Sequence, residues 1–238
     1  SDSKTSRNTY GEVTVMDSAT RKAKLEELKA NQFNQAMTGI PLRYKGSTRT
    51  EIVWRIPLDY LIYNKYNGRI GSDVLSYERQ NGDLNAELDT DRAIIEKFLY
   101  ESKVDRNRTT MDSLLKNGQQ RYGIVTSDGI IVDGNRRAML LNRLFHQHDE
   151  MGLSYTQVEH CRYFLAIILP DDAEEKDIQQ LETIYQMGED TRLSEKERRM
   201  TEIMESMPIP LFNNISEDLG DEDIKALIRD YVRRTKKS

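Results

Sequence analysis

The chain carries one cysteine, Cys161, in 238 residues, which excludes an internal disulfide and a zinc site built from several cysteines. A lone thiol suits a reducing compartment, so the expected location is the cytoplasm. No run approaches the roughly 18 apolar residues that a membrane-crossing helix needs, and no signal peptide is visible. Excess positive charge is also missing: 35 Lys and Arg stand against 40 Asp and Glu, a formal net charge of −5. Bulk attraction to nucleic acid is therefore not expected, and any DNA contact needs a local basic surface or a domain beyond this chain. What is present is a polar composition, 37% hydrophobic and 32% charged, which predicts long exposed helices, a loose terminus or a partner interface. Ser1-Asp2-Ser3 and Arg233 to Ser238 read as frayed edges of a piece of a longer protein.

The most informative stretch runs from Gly123 to Leu144. Two short β-rich runs flank Ser127-Asp128-Gly129, and Asp-Gly between apolar alternations is a strong hairpin signal. The second run enters Asp133-Gly134-Asn135-Arg136-Arg137, after which Ala138, Met139, Leu140, Leu141 and Leu144 keep helical apolar spacing. A Gly turn at a helix start leaves backbone N–H groups unpaired at the positive end of the helix dipole, where anions bind. Two arginines there oppose that dipole unless an anion is present, and their planar donor forks suit phosphate oxygens. Gly134, Asn135, Arg136 and Arg137 are thus a candidate phosphate cradle. The bland alternative is a surface helix whose arginines pair with Asp133 or neighbouring carboxylates.

Asp133 to Ala138, after a hairpin and before a helix, resembles the G-E-R-R-x-R-A box of the ParB/sulfiredoxin superfamily. With three further boxes, two upstream and one downstream, it stands in family order over roughly residues 52 to 205. Met111 to Val125 is similar to the segment leading into that box, and Trp54 to Arg69 resembles the opening I-P-L strand with its N-P-R box. Gln186 to Glu197 resembles, more loosely, the E-N-x-Q-R-x-x-L-S-P-x-E box. The resemblance implies an α/β (α+β) fold, a small mixed sheet of ParB/sulfiredoxin type with many surrounding helices. It implies a nucleoside triphosphate, CTP or ATP, with Mg²⁺. It carries Asn67 and Arg69 over as nucleotide ligands beside the Gly134–Arg137 loop and adds Arg192 as a further phosphate contact; for the metal, an ungapped alignment gives Gln186 and Met187, whereas a deletion gives Glu189 and Asp190, whose carboxylates suit Mg²⁺. Gly68 stands where the family has Pro, and Asn135 stands where it has Glu, which weakens hydrolysis more than binding. Sulfiredoxin chemistry is poorly matched, since its catalytic Cys would fall at Asn135.

The rest of the chain divides into three expected segments: 1–50, a tail and accessory helix; 51–206, the ParB-like domain with a helical insertion at about 71–117; and 207–238, a helical end. Ser18 is read as the cap of a helix over residues 19–37, either a dimer arm or packed back on its own domain. Ile52, Trp54 and Ile56 share one face of a strand ended by Pro57. Helices follow at 73–79, from Asp89 or Thr90, and from Thr109 or Thr110, with Arg106 to Arg108 as a basic connector. Tyr163 to Leu169 is the most apolar strand and belongs at the sheet centre. Asp171 or Asp172 starts a helix that Gly188 breaks, and Ser194 with Glu197 forms a capping box. His146, His148, Asp149 and Glu150 form a helix end rather than a metal site. The acidic residues 215–225 fit DNA reading poorly.

Three functions stay open. One is a nucleotide-binding domain, a slow NTPase or nucleotide switch in a DNA-related process such as DNA segregation or phage defence. Another is a DNA-binding or nuclease domain of a restriction or defence system, and the third is an inert module that recruits a partner protein or a second copy.

Overall fold

The computed structural model describes residues 16–67 and 70–189, with the course of the backbone alone for 186–189. In chain order these form α1 (Ser18–Lys29), β1 (Gln35–Tyr44), β2 (Ser47–Pro57), α2 (Gly71–Asn81), α3 (Asp89–Glu101), α4 (Val104–Asn117), β3 (Gly123–Val125) and β4 (Ile131–Asp133). There follow α5 (Asn135–His146), α6 (His148–Met151), α7 (Tyr155–Cys161), β5 (Tyr163–Ile168) and α8 (Glu175–Glu189). The strands form one mixed sheet in the order β1-β2-β5-β3-β4. β5 runs antiparallel to β2, with Ile56 opposite Phe164, and parallel to β3, with Ile124 opposite Ile167. The expected mixed α+β class is therefore present, with Tyr163–Ile168 at the centre of the sheet.

Among the described residues, compactness separates one unit within 16–38 and 52–171 from another within 39–51 and 172–189. The first unit holds the main core: Leu25 of α1, Trp54 and Ile56 of β2, Ile95 and Leu99 of α3, Met139, Leu140 and Leu144 of α5, and Phe164 of β5. Arg21 of α1 is buried, donating from Nε to the Asp128 carbonyl at 2.7 Å and pairing with Glu87 at 2.9 Å. A buried guanidinium is tolerable only when its donors are met in this way. In the second unit, Lys45 and Gly46 both take positive φ, the signature of a tight hairpin turn. There Tyr44 donates to Asp172 at 2.8 Å, and Lys45 pairs with Asp177 at 2.9 Å. Asp177 also accepts the Glu174 N–H at 2.9 Å at the start of α8.

Several sequence expectations are corrected. The helix read over 19–37 ends at Lys29, is capped by Asp17 rather than Ser18, and gives way to β1 at Gln35. Phe33, inside the expected span, sits in a 3₁₀ turn and is 81% exposed. The supposed connector Arg106–Arg108 lies inside α4, because the buried Asn107 amide bonds the Tyr100 carbonyl at 2.7 Å and ties the helix to the end of α3. α8 starts at Glu175, not at Asp171 or Asp172, and continues through Gly188 to Glu189. In α1 the apolar spacing holds only for the buried Leu25 and Leu28, and capping and tertiary bonds set the ends of these helices.

Candidate functional site

β3 and β4 are joined by a turn that Thr126 closes: its N–H bonds the Ile130 carbonyl at 2.8 Å and its Oγ1 accepts the Ile130 N–H at 2.9 Å. Gly129 takes φ 83° there. The Tyr60–Asn67 segment runs beside this hairpin. Ile62 accepts from Ile131 N at 3.0 Å and donates to the Gly129 carbonyl at 2.9 Å, a single parallel bridge. That bridge delivers residues 64–67 to the start of α5.

Gly134 opens α5 in the left-handed region, φ 109°. A Cβ there would also lie 2.5 Å from Phe164 Cζ, so backbone shape and core packing each demand glycine. The first bond inside α5 is Ala138 N–H to the Gly134 carbonyl at 2.9 Å, so the N–H groups before it belong to the orphan set of a helix N-terminus.

The three side chains that follow reach into three different segments. Asn135, 4% exposed, donates from Nδ2 to the Asn64 carbonyl at 2.8 Å and accepts the Asn64 N–H on Oδ1 at 3.2 Å. Its amide behaves like one more peptide in a ladder. Arg136 directs Nη2 and Nε to Asn107 Oδ1 of α4, at 2.8 and 3.1 Å, with Thr110 Oγ1 at 3.5 Å. Arg137 pairs with Asp133 at 3.0 Å and donates to the Arg121 carbonyl. The bland alternative of pairing with Asp133 thus describes Arg137.

Residues 64–67 are themselves fixed. Lys65 donates to Glu78 Oε2 at 2.7 Å and to the Leu84 carbonyl at 2.8 Å, and Glu78 Oε2 also accepts the Leu84 N–H at 2.8 Å. Burial pushes the Glu78 carboxyl up, but the Lys65 and Leu84 bonds outweigh it and hold the group below its ordinary value. Burial likewise pulls the Lys65 amine down, and the Glu78 bond returns it above its usual value. Asn67, 7% exposed, uses its carbonyl to accept from Ile70 and Gly71 at the start of α2, at 3.0 and 2.8 Å.

Of the residues expected from sequence, Gly134, Asn135, Arg136 and Arg137 meet on one helical turn, and the loop holding Asn67 is fastened to that turn through Asn64. Arg69, Asp190 and Arg192 lie outside the described residues, as does the side chain of Glu189, whose backbone ends α8. Among the described residues no group of three or more His, Cys, Asp or Glu is placed to hold a metal ion, and no helix is long and apolar enough to cross a membrane. Sequence reasoning missed Asn64 and Asn107. An asparagine inside a polar helix gives no sign in the sequence that it is buried and partnered. Asp133 and Arg137, at the i, i+4 spacing, did give one.

No family model matches this chain, and neither does any curated protein or solved structure compared with it.

Proposed function

We propose that the N-terminal turn of α5 and the Asn64–Asn67 loop form a phosphate site for a nucleoside triphosphate, working as a binding switch rather than a fast hydrolase. The observation that carries this reading is the pair of hydrogen bonds between the Asn135 amide and the Asn64 backbone. It lays a polar loop beside the positive end of a helix that bears Arg136, with Arg137 already engaged by Asp133, so the helix N-terminus and Arg136 are the groups offered to an anion. The neutral groups Asn107 and Thr110 orient Arg136, and a pre-positioned guanidinium binds phosphate with less ordering cost. With an amide at position 135, this turn offers no carboxylate there to act as a base, which favours holding over cleaving.

Calorimetric titration with ATP, CTP, GTP and UTP, with and without Mg²⁺, tests this directly. Saturable binding of at least one is expected, and none at all would refute the site. Arg136→Ala should weaken binding by about tenfold or more, the worth of a charge-assisted contact. It also leaves the buried Asn107 Oδ1 without its guanidinium donor, so Asn107→Ala is the control: it disturbs the same packing and keeps the charge. Equal losses in the two variants would point to packing, not phosphate recognition.

A further inference from the structure

A cavity of about 540 Å³ lies in the first unit, between α3, the far end of α5 and the 3₁₀ turn after β2. Its volume is in the range of small-molecule sites. Asn142, one of its lining residues, is seven residues beyond Asn135, about 10 Å along the helix axis at 1.5 Å per residue, so this is not the phosphate site proposed above.

The cavity has a built polar floor. The buried Tyr63 hydroxyl donates to Glu96 Oε1 at 2.7 Å, and Asn142 Nδ2 donates to the same oxygen at 2.9 Å. Among the described residues nothing bonds Glu96 Oε2 or Asn142 Oδ1, leaving two acceptors. Arg92 supplies the opposite need. Its guanidinium lies 5.4 Å over the Tyr63 ring, and its Nε is buried with no hydrogen-bond acceptor, the nearest carboxylate oxygen of Glu96 being 3.7 Å away. A buried charged donor in that condition is costly, and a ligand acceptor would relieve it. At the rim, Asp59 and Asp89 are exposed and pair with no cation among the described residues. Three carboxylates against one guanidinium leave an excess of two negative charges among these groups.

The complement is a molecule with one anionic acceptor and more than one cationic donor. We propose that this cavity binds a small basic zwitterion, of the chemical class of free lysine or ornithine, with its carboxylate on Arg92 and its ammonium groups on Asp59 and Asp89. A plain diamine would leave Arg92 Nε unmet and would face its charge. A monoamine acid would leave one rim carboxylate unmatched.

Calorimetry of the full chain with lysine, cadaverine (the same diamine without the carboxylate) and 6-aminohexanoate (the same acid without the α-amino group) tests the assignment. Lysine should bind saturably, and each analogue should be weaker by about tenfold, the worth of one charge-assisted contact. The double variant Asp59→Asn with Asp89→Asn should lower lysine affinity by about tenfold or more, while its melting temperature falls by only a few degrees, because both side chains are exposed and the first-turn charge of Asp89 on α3 is a small contribution. Arg92→Met should abolish the preference for lysine over cadaverine. Absence of saturable lysine binding, cadaverine binding as tightly as lysine, or wild-type affinity in the double aspartate variant would each overturn the proposal.

Discussion

Asn135 shows how one side chain can replace a stretch of strand pairing. Its amide supplies both a donor and an acceptor to Asn64, something no carboxylate can do. Asn135→Asp would keep the bond from the Asn64 N–H and set an anion against the Asn64 carbonyl. The expected cost is about 1–3 kcal/mol, the price of an unmet buried polar group, seen as a lower urea midpoint. An unchanged midpoint would mean that the clasp contributes nothing. Glu78 acts on the same loop from the other side. Its folded pKa lies below the ordinary 4.5, so the stability it contributes is fully present above about pH 4.5 and is lost as pH falls from there through the folded value. Melting temperatures measured from pH 6 to pH 3 should therefore decline more steeply below about pH 4.5 in the wild type than in Glu78→Gln. Parallel curves would exclude the linkage.

At the scale of elements, β5 and α5 are fitted to each other through the Phe164 ring. Gly123 on β3 and Gly134 before α5 both lack the Cβ that would strike it, so a central strand residue dictates two glycines far away in sequence. Phe164→Ala should cost about 3–5 kcal/mol through the cavity it leaves. Gly134→Ala should also destabilise, by strain at φ 109° and by collision with the ring. In the Phe164→Ala background the ring collision is gone, leaving the backbone strain and a 3.3 Å approach to Arg137 Nη2, so a double-mutant cycle measured by chemical denaturation should show Gly134→Ala costing less there. Strict additivity would place none of the cost in the ring contact. The same fitting explains why α4 extends back to Val104: Asn107 is needed to bond both Tyr100 and Arg136.

Over the whole molecule, Cys161 of α7 offers a reporter. It is 1% exposed, and burial pushes its thiol up to about 11, so at pH 8 it is neither reached nor ionised in the folded state. Alkylation by iodoacetamide, followed by mass spectrometry across a urea series, should track unfolding of the first unit and stay near zero before it. Labelling of the folded protein at the rate of a free thiol would contradict this burial.

The hairpin at Asp128-Gly129, the glycine-led start of α5, the face carrying Met139, Leu140 and Leu144, and the apolar strand Tyr163–Ile168 could all be seen in the sequence. Each follows from local rules: turn stereochemistry, a 3.6-residue period, and the burial of a strand covered on both faces. The partners of Asn135 and Arg136 could not be seen, because they lie 71 and 29 residues away, and a polar side chain carries no mark of which distant acceptor it will meet. β1 was hidden for a related reason. Its residues pair along a neighbour instead of packing on a periodic face, and the tight Lys45-Gly46 turn that makes the pairing possible was not recognised. The sequence alone determined that a helix would begin with Gly134 and two arginines. Only the tertiary structure decided what holds each of them, since hydrogen-bond partners and the glycine-demanding contact with Phe164 exist only after the chain has brought separate segments together.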